Sequence, residues 1–251
     1  MRILRAHKDG QSFYAVLEGG CVRRLSGSPY DSVQYTGEKY DIGDVKLLPP
    51  SEPTKIVAVG LNYAKHAAEM KETLPGRPVI FLKPTTAMVA HGEAVVWPET
   101  SARVDYEAEL AVVIGKTCKN VTPEEARAYI FGYTALNDVT ARDLQKADGQ
   151  WTRGKSFDTF CPVGPYVDTD FDPAGKRVQS VLDGETKQDG NTDDMLFRPA
   201  ELVSIISECM TLLPGDIIAT GTPEGIGPMR RGSVIEIRIE GLETLRNSVI
   251  G

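Results

Sequence analysis

Alternation of apolar and polar positions recurs along the chain and predicts strands more often than helices. Across residues 1 to about 50, the segments RILRAHKD, SFYAVLEGGCVRRL and VKLLPP read as short strands separated by turns. Gly19-Gly20 fits a tight hairpin, because both central positions of such a turn adopt positive φ. Pro49, Pro50 and Pro53 cannot donate to a ladder and favour extended backbone, so they mark a linker. The predicted division is a small β domain over residues 1–52 and a main domain over 53–251.

From Lys55 onward the β-like segments are KIVAVGL, PVIFLKP, EAVVWP, DYEAELAVVIG, GPYV, DIIATGT and SVIEIRIEGL. Helical patterns are fewer, the clearest running over about Tyr63–Lys71, Thr122–Ile130, Asp138–Ala147 and Pro199–Met210. Thr122-Pro-Glu-Glu opens as a capped helix, and Pro199 suits a first helical turn. Strands and helices do not alternate regularly, as a parallel doubly wound sheet requires, so the expected class is α+β, mainly β.

The chain has 251 residues, of which 41% are hydrophobic and 25% charged, a composition that supports a packed core. A formal charge of −7 disfavours the broad basic surface needed for nucleic acid. Apolar runs of about six residues are too short for a membrane-spanning helix. The charged start MRILRAHKDG lacks the apolar core of a signal peptide, so the expected location is the cytoplasm. Cys21, Cys118, Cys161 and Cys209 form no C-x-x-C pair and read as reduced packing residues.

No G-x-S-x-G, H-E-x-x-H or G-x-x-x-x-G-K-[ST] motif occurs, and three histidines are few for a zinc site. Carboxylates are the richer source of chemistry. On a strand, Asp105, Glu107 and Glu109 share one face. Neighbours on that face lie about 6.5 Å apart and repel by roughly 2.5 kcal/mol at an effective dielectric near 20. A hard divalent cation would relieve that repulsion. An edge strand with a solvated acidic face would relieve it equally well.

Three further segments combine charge and polarity. If Asp138 opens a helix, Arg142 and Gln145 follow on the same face, as they also would in an ordinary surface ion pair. Lys155 lies in the aromatic loop GKSFDTFCPVGP, where a surface lysine is the simpler alternative. In LNYAKHAAEM, Asn62 is placed to cap a short helix on which His66 and Glu69 face the same way. A histidine oriented by a carboxylate is a general base; a lone exposed pair is the plain alternative. The strand and turn DIIATGTPEGIG offers backbone N–H groups and the Thr222 hydroxyl to an anion.

Taken in order, NYAKHAAEM, FLKP, DYEAELAVVIG, GYTALNDVTARDLQ, GKSFDTFCPVGP, LLPGDIIATGTPEGIG and GSVIEIRIEGL resemble the fumarylacetoacetate hydrolase family over residues 54 to 250. The leading β unit is similar to the small domain on many bacterial members. The resemblance implies a β-rich roll with peripheral helices, a homodimer, and one Mg²⁺ or Mn²⁺ per site. It makes Glu107, Glu109 and Asp138 the metal ligands and leaves Asp105 a neighbour. It assigns His66 and Glu69 to a catalytic dyad on a lid helix, with Lys155 beside them in the catalytic group. Arg142, Gln145 and Thr222 become substrate contacts, and Lys83 part of the cavity wall.

The reaction expected from this resemblance is cleavage of a C–C bond in a 2-oxo acid through an enolate, by acylpyruvate hydrolysis or oxaloacetate-type decarboxylation. Isomerisation or decarboxylation of 2-hydroxy-diene-dioates is the first alternative. A non-catalytic, metal-dependent dicarboxylate-binding protein is the alternative from another class.

Overall fold

The computed structural model describes Met1–Gly251 and is built mainly from strands. Its largest sheet runs in the order Tyr35–Asp41, Cys21–Leu25, Gln11–Glu18, Arg2–Lys8, Cys161–Asp168, Ile130–Asn137, Ala108–Ile114, Ile217–Ala219, Ile56–Gly60 and Val79–Lys83. The leading β unit therefore continues into the main sheet, through pairing of Arg2 and Ile3 with Asp168 and Val167. A five-stranded sheet, with Arg177–Leu182 and Val234–Ile239 near its centre, packs Ile235, Ile237 and Ile239 into the principal core. No helix is long and apolar enough to cross a membrane.

The run Leu110–Ile114 is apolar throughout because both faces of its strand are buried. Leu110, Val112 and Ile114 enter the principal core, while Ala111 and Val113 enter a second core with Ile56, Leu136 and Ile217. Three hairpins turn on consecutive residues with positive φ: Asp9-Gly10, Gly19-Gly20 and Asp183-Gly184. Sequence patterning identified only the second.

Several expectations change. Asp138 does not begin a helix; it follows the strand Ile130–Asn137, and the helix spans Arg142–Asp148. That strand went unpredicted because Gly132–Asn137 are buried on both faces, so its sequence IFGYTALN shows no alternation of apolar and polar positions. Asn62 caps nothing: its amide donates to the Phe197 and Thr220 carbonyls, and its Oδ1 accepts from Phe197 N–H. The proline segment is pinned, with Pro50, Ser51 and Pro53 buried and the Ser51 hydroxyl donating to Gly215 O at 2.6 Å. All four cysteines are free, but Cys209 is exposed and packs into no core.

Candidate metal centre and active site

The acidic segment is two strands, Val104–Tyr106 and Ala108–Ile114, with Glu107 at the break. Its backbone there is tied from outside: Glu107 N–H donates to Asn137 Oδ1 at 3.0 Å, and Ala108 N–H to Gln188 Oε1 at 2.9 Å. Asp105, Glu107 and Glu109 are all buried, which removes the solvated edge strand as a reading. Pairing of Ala108 with Asn137 then carries Asp138 alongside. Glu107, Glu109 and Asp138 each offer an oxygen within 4.8 Å of the others.

Buried charges this close require partners. Lys155 Nζ donates to Glu107 Oε2 and Asp138 Oδ2, both at 2.7 Å. Arg142 donates through Nε to Asp105 at 2.9 Å, through Nη1 to Gln145 Oε1 at 2.7 Å, and through Nη2 to Glu107. Asp105, with Arg103 and Arg142 against it, is an anchor outside the acidic triad. Lys83 Nζ donates to Asp138 Oδ1 at 2.5 Å and to Lys155 O at 2.6 Å. It lies behind Asp138 and is absent from the cavity lining, so the expected place of Lys83 in the cavity wall is corrected. A fully buried ammonium goes where carboxylate and carbonyl oxygens accept it, and here those are beneath the floor.

Within this network the acids differ. Burial works to raise the Glu107 carboxyl, but Lys155 and Arg142 outweigh it and hold that group well below the usual range. Burial, then Asp138 and Glu107, push Glu109 well above it. The one donor to Glu109 is Gly221 N–H, at 2.8 Å. Gly221 has φ +97°, and a Cβ there would meet Asn62 Cβ at 2.7 Å, so the turn that delivers this N–H requires glycine. A triad of hard anionic oxygens, one acid of which lacks a cationic partner, fits a hard divalent cation.

The floor opens into a cavity of about 320 Å³, lined also by His66, Phe81, Gln145, Trp151 and Thr222. His66 is buried, and its Nδ1 lies 3.1 Å from Glu69 Oε2. With Nδ1–H donated to the carboxylate, Nε2 carries the lone pair. Glu69 also accepts from Gly225 N–H at 3.1 Å, fastening the dyad helix Ala64–Glu69 to the TGTPEGIG turn. Lys155 is buried at the end of a short helix, Thr152–Lys155, and is no surface lysine.

The Thr222 hydroxyl is committed to the fold: it donates to Ala108 O at 2.9 Å and accepts from Gln188 Nε2 at 2.8 Å. What remains there for an anion is the backbone N–H of Thr222, which has no partner in the chain. Gln188 was missed by sequence reasoning although it joins the acid-bearing strand to the turn. Its one signal is burial at a single position in the polar strand Glu185–Asn191, which only the fold reveals. Asn137 was overlooked beside Asp138, and Phe81 and Trp151, 5.3 Å apart edge to face, were not identified as a wall.

The chain is similar to known proteins over its whole length. The family model described as Fumarylacetoacetate (FAA) hydrolase C-terminal matches residues 55–250, and one described as Rv2993c-like, N-terminal matches residues 1–50. An uncharacterized protein of Methanocaldococcus jannaschii is 51% identical over 230 residues, covering 87% of this chain and 97% of its own length. Oxaloacetate tautomerase YisK of Bacillus subtilis is 41% identical over 225 residues, covering 84% and 75%. The crystal structure of 2-hydroxyhepta-2,4-diene-1,7-dioate isomerase from Mycobacterium marinum is 43% identical with a TM-score of 0.93, covering 100% of this chain and 98% of that one.

Proposed function

The chain belongs to the fumarylacetoacetate hydrolase family and is an enzyme, and from that premise we propose that it is divalent-metal-dependent and cleaves a C–C bond in a 2-oxo acid through an enolate. The observation that carries the reading is the buried triad Glu107, Glu109 and Asp138 beneath a cavity that also holds His66. These hard oxygens suit Mg²⁺ or Mn²⁺ better than zinc or copper. Bound there, such a cation supplies Lewis acidity to the 2-oxo group and steadies negative charge as it develops.

The remaining roles follow from the chain's own groups. Asp105, Glu107, Glu109 and Asp138 are matched by Arg103, Arg142, Lys83 and Lys155, so the ionised cluster is close to neutral by itself. A divalent cation held by Glu107, Glu109 and Asp138 would therefore leave the site able to balance two further negative charges. Lys155 and Arg142 hold the acids in place and add positive potential at the floor. His66, oriented by Glu69, takes the proton from an attacking water at Nε2 and returns it to the departing carbon. Phe81 and Trp151 keep one side of the cavity apolar. The family's enzymes argue against a purely sequestering, non-catalytic role.

A second reading, proton transfer without cleavage, is favoured by the similarity to the B. subtilis oxaloacetate tautomerase and the M. marinum isomerase. It uses the same enolate, with His66 moving a proton between carbon and oxygen. The homodimer belongs to the proposal too, supported by Val79 and Leu82 exposed on the open edge strand Val79–Lys83. Light scattering at about twice the 27.4 kDa chain mass checks it.

The deciding experiment incubates the protein with Mg²⁺ or Mn²⁺ and a panel of acylpyruvates, oxaloacetate and 2-hydroxy-dienoates. Release of pyruvate supports cleavage. Interconversion of enol and keto forms without pyruvate supports the second reading. No metal-dependent change in any substrate overturns both.

A further inference from the structure

The helix Arg142–Asp148 runs from the acidic floor toward the mouth of the cavity. Arg142, Gln145, Lys146 and Gly149 all line that cavity, at the i, i+3, i+4 and i+7 positions of one helical stripe. At about 1.5 Å per residue, Lys146 stands roughly 6 Å beyond Arg142 along the axis.

The cations of the cavity differ in how they are used. The Arg142 guanidinium is shared among Asp105, Glu107 and Gln145, the Lys155 ammonium between Glu107 and Asp138, and the His66 ring is bound to Glu69. Lys146 alone among these cavity cations makes no ion pair or side-chain hydrogen bond with the chain, and it is exposed. Phe81, Trp151 and Met70 line the same cavity and present surface suited to carbon atoms.

We propose that Lys146 binds a carboxylate at the far end of the substrate and makes the enzyme selective for 2-oxo dicarboxylates over 2-oxo monocarboxylates. The inference rests on the reading that a 2-oxo acid sits over Glu107, Glu109 and Asp138. Neutrality at the floor is reached with one carboxylate and one enolate oxygen, so a further negative charge has to be met elsewhere. The unpaired ammonium on the same helical stripe meets it. Glu72 also lines the cavity and has no cationic partner, so it opposes a second carboxylate and sharpens the placement demanded of it.

The test titrates the Mn²⁺-loaded protein calorimetrically with matched probes that differ only by a terminal carboxylate. These are 2-oxopentanoate against 2-oxoglutarate, and 2-oxohexanoate against 2-oxoadipate. The wild-type protein is expected to prefer a dicarboxylate of at least one pair. Lys146→Met should weaken that dicarboxylate about tenfold, as loss of a charge-assisted hydrogen bond does, and leave its monocarboxylate partner within twofold. Lys146→Arg should keep the preference, and Glu72→Gln should tighten the dicarboxylate two- to threefold. Equal weakening of both probes by Lys146→Met, or no dicarboxylate preference in the wild type, overturns the assignment of Lys146 alone. Failure of every probe to bind in a Mn²⁺-dependent way overturns the underlying reading, and the role of Lys146 falls with it.

Discussion

Asp216 and Glu109 sit at opposite ends of one antiparallel strand pair, both buried, Asp216 just before the strand Ile217–Ala219 and Glu109 on its neighbour Ala108–Ile114. Their surroundings are opposite. Asp216 accepts from the N–H groups of Thr54, Lys55 and Leu213 at 2.9, 3.1 and 2.8 Å, and from the Thr54 hydroxyl at 2.7 Å, with the Lys55 ammonium against it as well. Glu109 has one backbone donor and two acids beside it. A buried carboxylate surrounded by donors stitches chain segments together. One left short of donors and pressed against other acids has its charge balanced only when something further binds. Donor count, more than burial, separates the structural acid from the functional one.

The contrast can be broken most decisively at Glu109. Glu109→Gln should abolish Mn²⁺ binding by calorimetry and reduce turnover to background, while stability to urea without metal stays equal or rises. A large loss of stability would place Glu109 in the same class as Asp216. Glu107→Ala should likewise remove metal binding and turnover together, and full activity in that variant would remove it from the ligand set.

His66→Ala separates proton handling from cation holding. Turnover should fall about 10²- to 10⁴-fold, the usual contribution of a positioned acid–base group, with Mn²⁺ affinity unchanged. Retained activity would leave Glu69 orienting a ring of no chemical consequence.

Asp216→Ala is the reciprocal variant. It should cost about 3 kcal/mol in urea unfolding, because several buried N–H groups and Lys55 lose their acceptor, yet leave metal affinity intact. The smallest effect belongs to Cys209→Ser, an exposed position where stability should move by less than about 0.5 kcal/mol.

How much of this was legible in the chain depends on how local each feature is. The shared face of Glu107 and Glu109 and the i, i+3 spacing of His66 and Glu69 follow from backbone periodicity, so both pairs could be read directly. The capping box at Thr122 and Glu125 and the Gly19-Gly20 hairpin are local in the same sense. Asp138 was named as a ligand through family resemblance, while its local structure was misread as a helix start. Its true place depends on pairing between Ala108–Ile114 and Ile130–Asn137, a relation between residues about thirty apart in sequence. Gln188 was invisible because its partners Ala108, Thr222 and Pro223 come from distant segments.

The sequence by itself determined the strand-rich class, the acids on one strand face and the histidine with its orienting carboxylate, because each depends on neighbours within a few residues. Only the tertiary structure decided that Lys83 supports the floor from behind, that the Thr222 hydroxyl is already spent, and that Lys146 is left without a partner. Those outcomes depend on which donor meets which acceptor once distant segments pack together and exclude water, and no periodicity along the chain encodes that competition.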